Sequence, residues 1–198
     1  NTGWIPIHIT LKRGEELIAA MPLYLKSHSQ GEFVFDHSWA NAFYQHGLDY
    51  YPKLVSSIPH TPASGPRFLL KDGEEKSVLF EKIKEGVKMI SSKNNISSWH
   101  ILFPEKDEIN FYENSQLSIR KNAQFIWFNK NYKNFENYLE NFRSRHRKNV
   151  LKERNKIKEQ DLIIETLSGE DLDYEIMNKF YRFYLSTNIK RSGFSGYL

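Results

Sequence analysis

The chain has 198 residues, 39% hydrophobic and 15% aromatic, with no cysteine and a formal net charge of +4 from 28 Lys and Arg against 24 Asp and Glu. That length holds one domain, or one and part of another, and the apolar content excludes a disordered chain. The missing thiols exclude a disulfide framework, a thiol nucleophile and a thiolate zinc site and fit a reducing cytoplasm, while no run nears the roughly 18 apolar residues of a membrane span.

Trp4 to Leu11 alternates as a strand does, and the polar turn Lys12-Arg13-Gly14-Glu15 leads into a second strand over Leu17 to Lys26, so the opening predicts a β-hairpin. Pro22 inside the second run marks a bulge or an edge. Gly31 to Phe35 reads as a third short strand. From Asp36 to Pro66 the chain is rich in Trp, Tyr, His and Pro without a period, as functional or partly helical loops are. Arg67 to Lys71 predicts a strand. Val78, Leu79, Ile83, Val87 and Ile90 have helical spacing within Glu74 to Lys93. A strand at Trp99 to Phe103, a short helix through Phe111 and a strand over Ile119 to Phe128 follow. Asn134 to Gln160 predicts one long helix, Leu162 to Thr166 a strand, and Leu172 to Leu185 a last helix. Strands alternating with helices give a mixed α/β fold. The chain starts without methionine and stops at Leu198 without a closing element, which reads as an internal segment of a longer protein.

Two stretches carry possible chemistry. At about 100° per residue, Phe135, Tyr138, Leu139, Phe142, Val150 and Ile157 are assigned to one side of the long helix. Arg143, Arg145, Arg147, Lys148, Lys152, Arg154, Lys156 and Lys158 are assigned to the other. Only Glu153 is acidic between Arg143 and Lys158, so this stretch suits a polyanion, since guanidinium forks match phosphate oxygens. A solvated charged face is the competing reading. His146 and Glu153, seven residues apart, could converge on an inward site or simply cap the core edge.

The second stretch runs from Lys26 to Lys53. Ser27, His28 and Ser29 lie near Asp36, His37 and Ser38, but without a G-x-S-x-G elbow a Ser-His-Asp hydrolase is poorly supported. His28, His37, His46 and His60 lack metal-ligand spacing, so no metal site is expected. Trp39, Tyr44, Tyr50, Tyr51 and Lys53 could equally line a ligand pocket or close a core. No glycine is followed two residues on by Gly or Ala, and no P-loop is present, so a Gly-rich phosphate cradle is absent from the sequence.

Met21-Pro22-Leu23-Tyr24-Leu25-Lys26, followed by His28-Ser29-Gln30-Gly31-Glu32-Phe33-Val34-Phe35-Asp36, resembles the signature block of the FemAB-like bacterial family. The resemblance continues through Trp39-Ala40-Asn41-Ala42, Tyr50-Tyr51-Pro52-Lys53-Leu54, Pro59 to Arg67, Gln124 to Asn129 and the basic Arg145 to Arg154 segment. Asn41 stands where the family pattern carries an aspartate, and His60 where it carries phenylalanine. The resemblance implies peptidoglycan biosynthesis or an N-acyltransferase of the GNAT type. It implies tandem GNAT-like lobes, residues 1–121 forming the first with its N-terminal part missing and 122–198 opening a truncated second.

On that reading an amine attacks a thioester or aminoacyl ester, the donor being acyl-CoA or aminoacyl-tRNA, with no tightly bound cofactor. Asp36 or His28 would be the base. Trp39, Tyr50, Tyr51, Lys53 and Arg67 would bind substrate, and Arg143, Arg145, Arg147, Lys148 and Arg154 would meet the donor's phosphates or tRNA. The alternative is a non-catalytic module that binds a polyanion or a cell-wall precursor. The sequence sets no oligomeric state.

Overall fold

The computed structural model describes residues 3–123 and 125–193. Two compact units divide them, one running to Arg120 and the other starting at Lys121. The architecture is mixed α/β, with two sheets and six α-helices among the described residues.

In the first unit the opening hairpin is split between two sheets. Strands β1 (Trp4–Pro6) and β4 (Tyr24–Lys26) pair antiparallel, as do β2 (Ile9–Arg13) and β3 (Glu16–Met21). The break falls at the same level on both arms of the hairpin, at residues 7–8 and 22–23. Pro22 has no N–H to offer a ladder, so the strand stops there. Across the gap Ile7 N donates to the Leu23 carbonyl at 2.8 Å, and Leu23 N donates to His8 Nδ1 at 3.2 Å. Beyond the break, β4 pairs antiparallel with β5 (Lys53–Ser56), which runs parallel to β7 (Trp99–Ile101). The second sheet is completed by β6 (Leu69–Leu70) beside β3.

Parallel β5 and β7 need a crossover, and it carries α2 (Lys76–Lys93). Leu79, Phe80, Ile83 and Val87 recur at helical spacing and are buried beneath the sheets. Phe80 is the centre of the core. It is fully buried, with the rings of Phe68, Phe111, Tyr112 and Trp99 at 5.3, 5.1, 5.4 and 6.0 Å. Each such buried side chain contributes roughly 1.5–3 kcal/mol. Phe111 and Tyr112 belong to α3 (Glu108–Asn114).

The loop between β4 and β5 contains α1 (His37–Gln45) but no strand at Gly31 to Phe35. Gly31 adopts φ +80°, which breaks an extended run. Its missing Cβ matters too, because one would lie 2.7 Å from the His60 ring and 2.9 Å from the Trp4 ring.

The second unit departs most from expectation. The long helix predicted over 134–160 is two helices, α4 (Phe135–Leu139) and α5 (Ser144–Lys158). Arg143 between them takes ψ 145°, outside the helical range. The freed carbonyls of Glu140 and Phe142 accept from Arg147 Nη2 at 3.4 and 3.2 Å. Asn134 caps α4 by accepting from Asn137 N, and Asp173 caps α6 (Tyr174–Ser192) by accepting from Ile176 N, both at 2.8 Å. The strands expected at Ile119 to Phe128 and Leu162 to Thr166 do not form among the described residues; Gln124 lies outside them. No neighbouring strand pairs their backbone there, and Phe125, Ile163 and Ile164 are exposed.

Candidate functional site

Cross-strand register places the site on one face of the first sheet. Leu25, Leu54 and Trp99 lie opposite one another across β4, β5 and β7 and face the core. Their neighbours must point the other way. Trp4 pairs with Lys26, and Lys26 with Lys53, so one row sets an indole beside two ammonium groups. Two like charges directly opposite are unfavourable, and both lysines are fully buried, so counter-charges are required.

The loop after β4 supplies them. Lys53 Nζ donates to Ser29 Oγ and to Glu32 Oε2, each at 2.8 Å, and to Asp36 Oδ2 in a short ion pair. Tyr50 OH donates to the same Asp36 oxygen at 2.7 Å, and Tyr51 OH shares a 2.7 Å hydrogen bond with Ser29 Oγ. Lys26 Nζ donates to the Gln30 carbonyl at 2.9 Å and stands 4.1 Å over the Trp4 ring. From β7, His100 Nε2 meets Ser98 Oγ at 2.8 Å and the Tyr50 hydroxyl at 3.4 Å.

The electrostatics follow from this packing. Burial opposes the Asp36 charge, but hydrogen bonds from Lys53, Ser29 and Tyr50 outweigh it and hold the carboxyl down to about 2. Burial raises Glu32 despite Lys53 beside it. Burial lowers Lys26 to about 8, with Glu32 opposing and Lys53 assisting. Burial and the Lys53 charge lower His100 to about 4, so its imidazole is neutral at pH 7. Tyr50 is raised by burial and by Asp36, so it keeps its proton. Its proton goes to Asp36.

Of the side chains singled out in the sequence, the structure brings Asp36, Tyr50, Tyr51 and Lys53 into one cluster. Trp39, half exposed on α1, lies beside it with its ring 6.5 Å from that of His100. His28 stands apart from the Asp36 ion pair; its Nδ1 accepts from Gln30 N at 3.3 Å. Burial and nearby Lys26 lower its pKa. Arg67 is buried elsewhere, donating to the carbonyls of Leu102 at 2.8 Å and Ala63 at 2.6 Å. Glu32, Lys26 and His100 were not singled out as site residues from sequence, and Ser29 was named only in the poorly supported Ser-His-Asp grouping. A signal existed for them: lysines ending short, apolar strands must find buried acids nearby, and Glu32 and Asp36 are the acids of the adjoining loop.

The basic stretch does not present two clean faces. Arg154 lies 4.0 Å over the Phe135 ring, and Arg147 closes the break after α4, so both turn toward the apolar side. Arg143, Arg145 and Lys148 are exposed. His146 and Glu153 are exposed as well, and α5 buries no residue, so they form no inward site. Among the described residues no group of three His, Asp or Glu is placed to hold a metal, and no helix is long and apolar enough to cross a membrane.

Comparison with curated proteins gave no match, and comparison with solved structures gave none either. Among protein families, FemAB-like, described as peptidoglycan biosynthesis/recognition, matches residues 1–198. A match over the whole chain, joined to a built polar cluster within the block that carries the resemblance, shows that the chain belongs to the FemAB-like family of peptidoglycan biosynthesis and recognition.

Proposed function

We propose that this chain is the working part of an N-acyltransferase that moves an acyl or aminoacyl group onto an amine of a cell-wall precursor, with GNAT-like lobes on either side of residue 121. The observation that carries the reading is the hydrogen-bonded array Lys53–Asp36–Tyr50–His100, which fixes a neutral imidazole beside the half-exposed Trp39. Acyl transfer to an amine needs a preorganised proton acceptor and a fixed reaction geometry.

The amine nitrogen attacks the carbonyl carbon of the thioester or ester, and a tetrahedral oxyanion forms. The His100 imidazole takes the ammonium proton and returns it to the departing thiolate or alkoxide as the carbon–sulfur or carbon–oxygen bond breaks. Asp36 orients Tyr50 and Lys53 rather than abstracting the proton, because it is buried and its Oδ2 is committed to Lys53 and Tyr50. Tyr51 and Trp39 are the substrate contacts, and exposed Arg143, Arg145 and Lys148 are the contacts for the phosphates of acyl-CoA or aminoacyl-tRNA.

The test is acyl transfer from acetyl-CoA and from aminoacyl-tRNA to a muropeptide amine, read by mass spectrometry. His100→Gln and Tyr50→Phe should each lower kcat by about 10²–10⁴-fold, the range for a positioned acid–base group. Absence of transfer from both donors would sink the reading.

A non-catalytic polyanion-binding role has its own support. Lys148, Lys152 and Lys156, with Leu151, Asn155 and one acid, Glu159, border a shallow recess of about 450 Å³ on α5, a helix with no buried residue. Binding of an oligonucleotide whose affinity falls steeply with salt, and is unchanged by His100→Gln, would favour it.

A further inference from the structure

Beyond α3 the chain forms a short arm that ends against α1. Gln116 at φ +64° and the Leu117 N–H, returning to the Tyr112 carbonyl at 3.2 Å, close α3 with a left-handed cap and turn the chain away. Leu117 packs on the core and anchors the arm at that end. Among the described residues, 118 to 120 make no backbone hydrogen bond. The far end is held through the Arg120 side chain. Its Nη2 donates to the Phe35 carbonyl at 2.6 Å, and its guanidinium lies 5.6 Å from the Trp39 ring centre. Phe35 immediately precedes Asp36, from which α1 starts, and Trp39 lies in the first turn, where its N–H donates to the Asp36 carbonyl at 2.9 Å. Both contacts of Arg120 therefore fall on the entry to α1, next to the carboxylate that Lys53 and Tyr50 share.

Anchor and latch differ in kind. The Leu117 end is fixed by apolar packing, whereas an exposed guanidinium against a carbonyl and a ring face is held by contacts that water can replace. Trp39 in turn has the His100 ring 6.5 Å away. We infer that residues 117–120 are a strap over the site with Arg120 as its latch: closed, the guanidinium fixes the indole beside His100; open, it releases the indole and admits ligands to the imidazole. The buried ion pairs of Lys53 need not move, so the strap works as a small lid on a fixed base. It deepens the acyltransferase reading above by giving that site a gate, and it rests on that reading for its purpose. Trp39 is a substrate contact there, and the face that Arg120 covers is open to substrate only once the latch has left it.

Carbethoxylation by diethyl pyrocarbonate measures access to the imidazole. A ring nitrogen attacks one carbonyl carbon of the reagent, and ethyl carbonate leaves as carbon dioxide and ethanol. His100, lowered to about 4 by burial, then by Lys53 and Arg120 against Asp36, is neutral at pH 7, so its rate there reads access rather than charge. Peptide mass spectrometry on the full chain separates it from His146, exposed on α5, which serves as internal reference. With the open form a minor state, Arg120→Gln and Trp39→Ala should each speed modification of His100 by about ten-fold or more and leave His146 unchanged. Both side chains are exposed, so folding is not at stake. Hydrogen exchange should report the same release in Arg120→Gln, with amides of α1 faster by about ten-fold or more and those of α2 unchanged. An unchanged His100 rate in either variant, or an equal rise at His146, overturns the strap. Gated modification without acyl transfer from either donor would leave the strap standing and remove the proposed activity; transfer with His100 ungated would do the reverse.

Discussion

Lys53 organises the site because it is the buried cation that two buried carboxylates share. Lys53→Met would leave Glu32 and Asp36 facing each other uncompensated, and breaking a buried ion pair from one side costs about 3–5 kcal/mol. The loss should appear as a lower urea midpoint, and adding Glu32→Gln and Asp36→Asn to Lys53→Met should recover much of it. Lys26 behaves in the opposite sense. Its folded pKa, lowered to about 8, lies below the ordinary lysine value, so between pH 8 and about 10.4 the unfolded chain holds more protons and stability rises with pH. The gain is of the order of 3 kcal/mol in full, cut short near pH 10 where the raised Tyr50 begins to favour unfolding. On the acid side, His100 near about 4 makes stability fall from about pH 6.5 downward, and Asp36 near about 2 continues the fall below about pH 4. Glu32, raised, opposes that loss in part. Urea midpoints measured from pH 3 to 10 should therefore climb toward pH 9 to 10, and Lys26→Met should flatten the alkaline limb. An unchanged alkaline limb in that variant would show that Lys26 is not the group responsible.

Among the elements, glycine contacts set how closely helix and sheet approach. A Cβ on Gly86 of α2 would come within 2.6 Å of Ile9 Cδ1 on β2. The clash is with the tip of a side chain that can swing, and alanine favours a helix by about 1 kcal/mol. Gly86→Ala should therefore be near neutral. Gly86→Leu should cost about 1–3 kcal/mol by overpacking, read as a fall in melting temperature, and Ile9→Ala should relieve it. Gly31→Ala has no such escape, since φ is positive and two rings stand in the way. The same scale shows what the sequence could reveal. The α2 periodicity, β7 and the hairpin were legible because each buries one face against Phe80 or its neighbours. The hairpin's division between sheets was not, because Pro22 signals a break without saying where the chain goes next. The site was half legible: Asp36, Tyr50, Tyr51 and Lys53 stood out by type, whereas His100 joins them through β-register, which a linear reading lacks. The basic helix misled for a related reason. Its wheel assumed one continuous helix, and the turn at residues 140–143 rotates Arg147 and Arg154 onto the apolar side.

Across the whole chain the burial is uneven, and this bears on stability and on where ligands act. The buried apolar residues lie almost entirely before residue 121; beyond it Leu139 is the one in that class among the described residues. Trp127, Tyr132, Tyr138, Phe135 and Phe142 do touch, ring to ring at 5.0–6.4 Å, but in a half-exposed cluster. Local opening free energy tracks buried apolar contact and protected backbone hydrogen bonds. Hydrogen exchange on this 198-residue chain should give slow amides on β3, β5 and α2, at the level of global unfolding of the first unit. Exchange on α5 and α6 should be faster by at least two orders of magnitude, about 2.7 kcal/mol or more of opening free energy. If the first unit carries the site by itself, an acyl-acceptor amine should slow exchange in α1 and β7 and leave α5 unchanged. A polyphosphate or oligonucleotide should instead protect Arg145 and Lys148 on α5, because those cations are exposed. Equal protection of both regions by either ligand would contradict this division of labour between the buried cluster of the first unit and the exposed cations of α5.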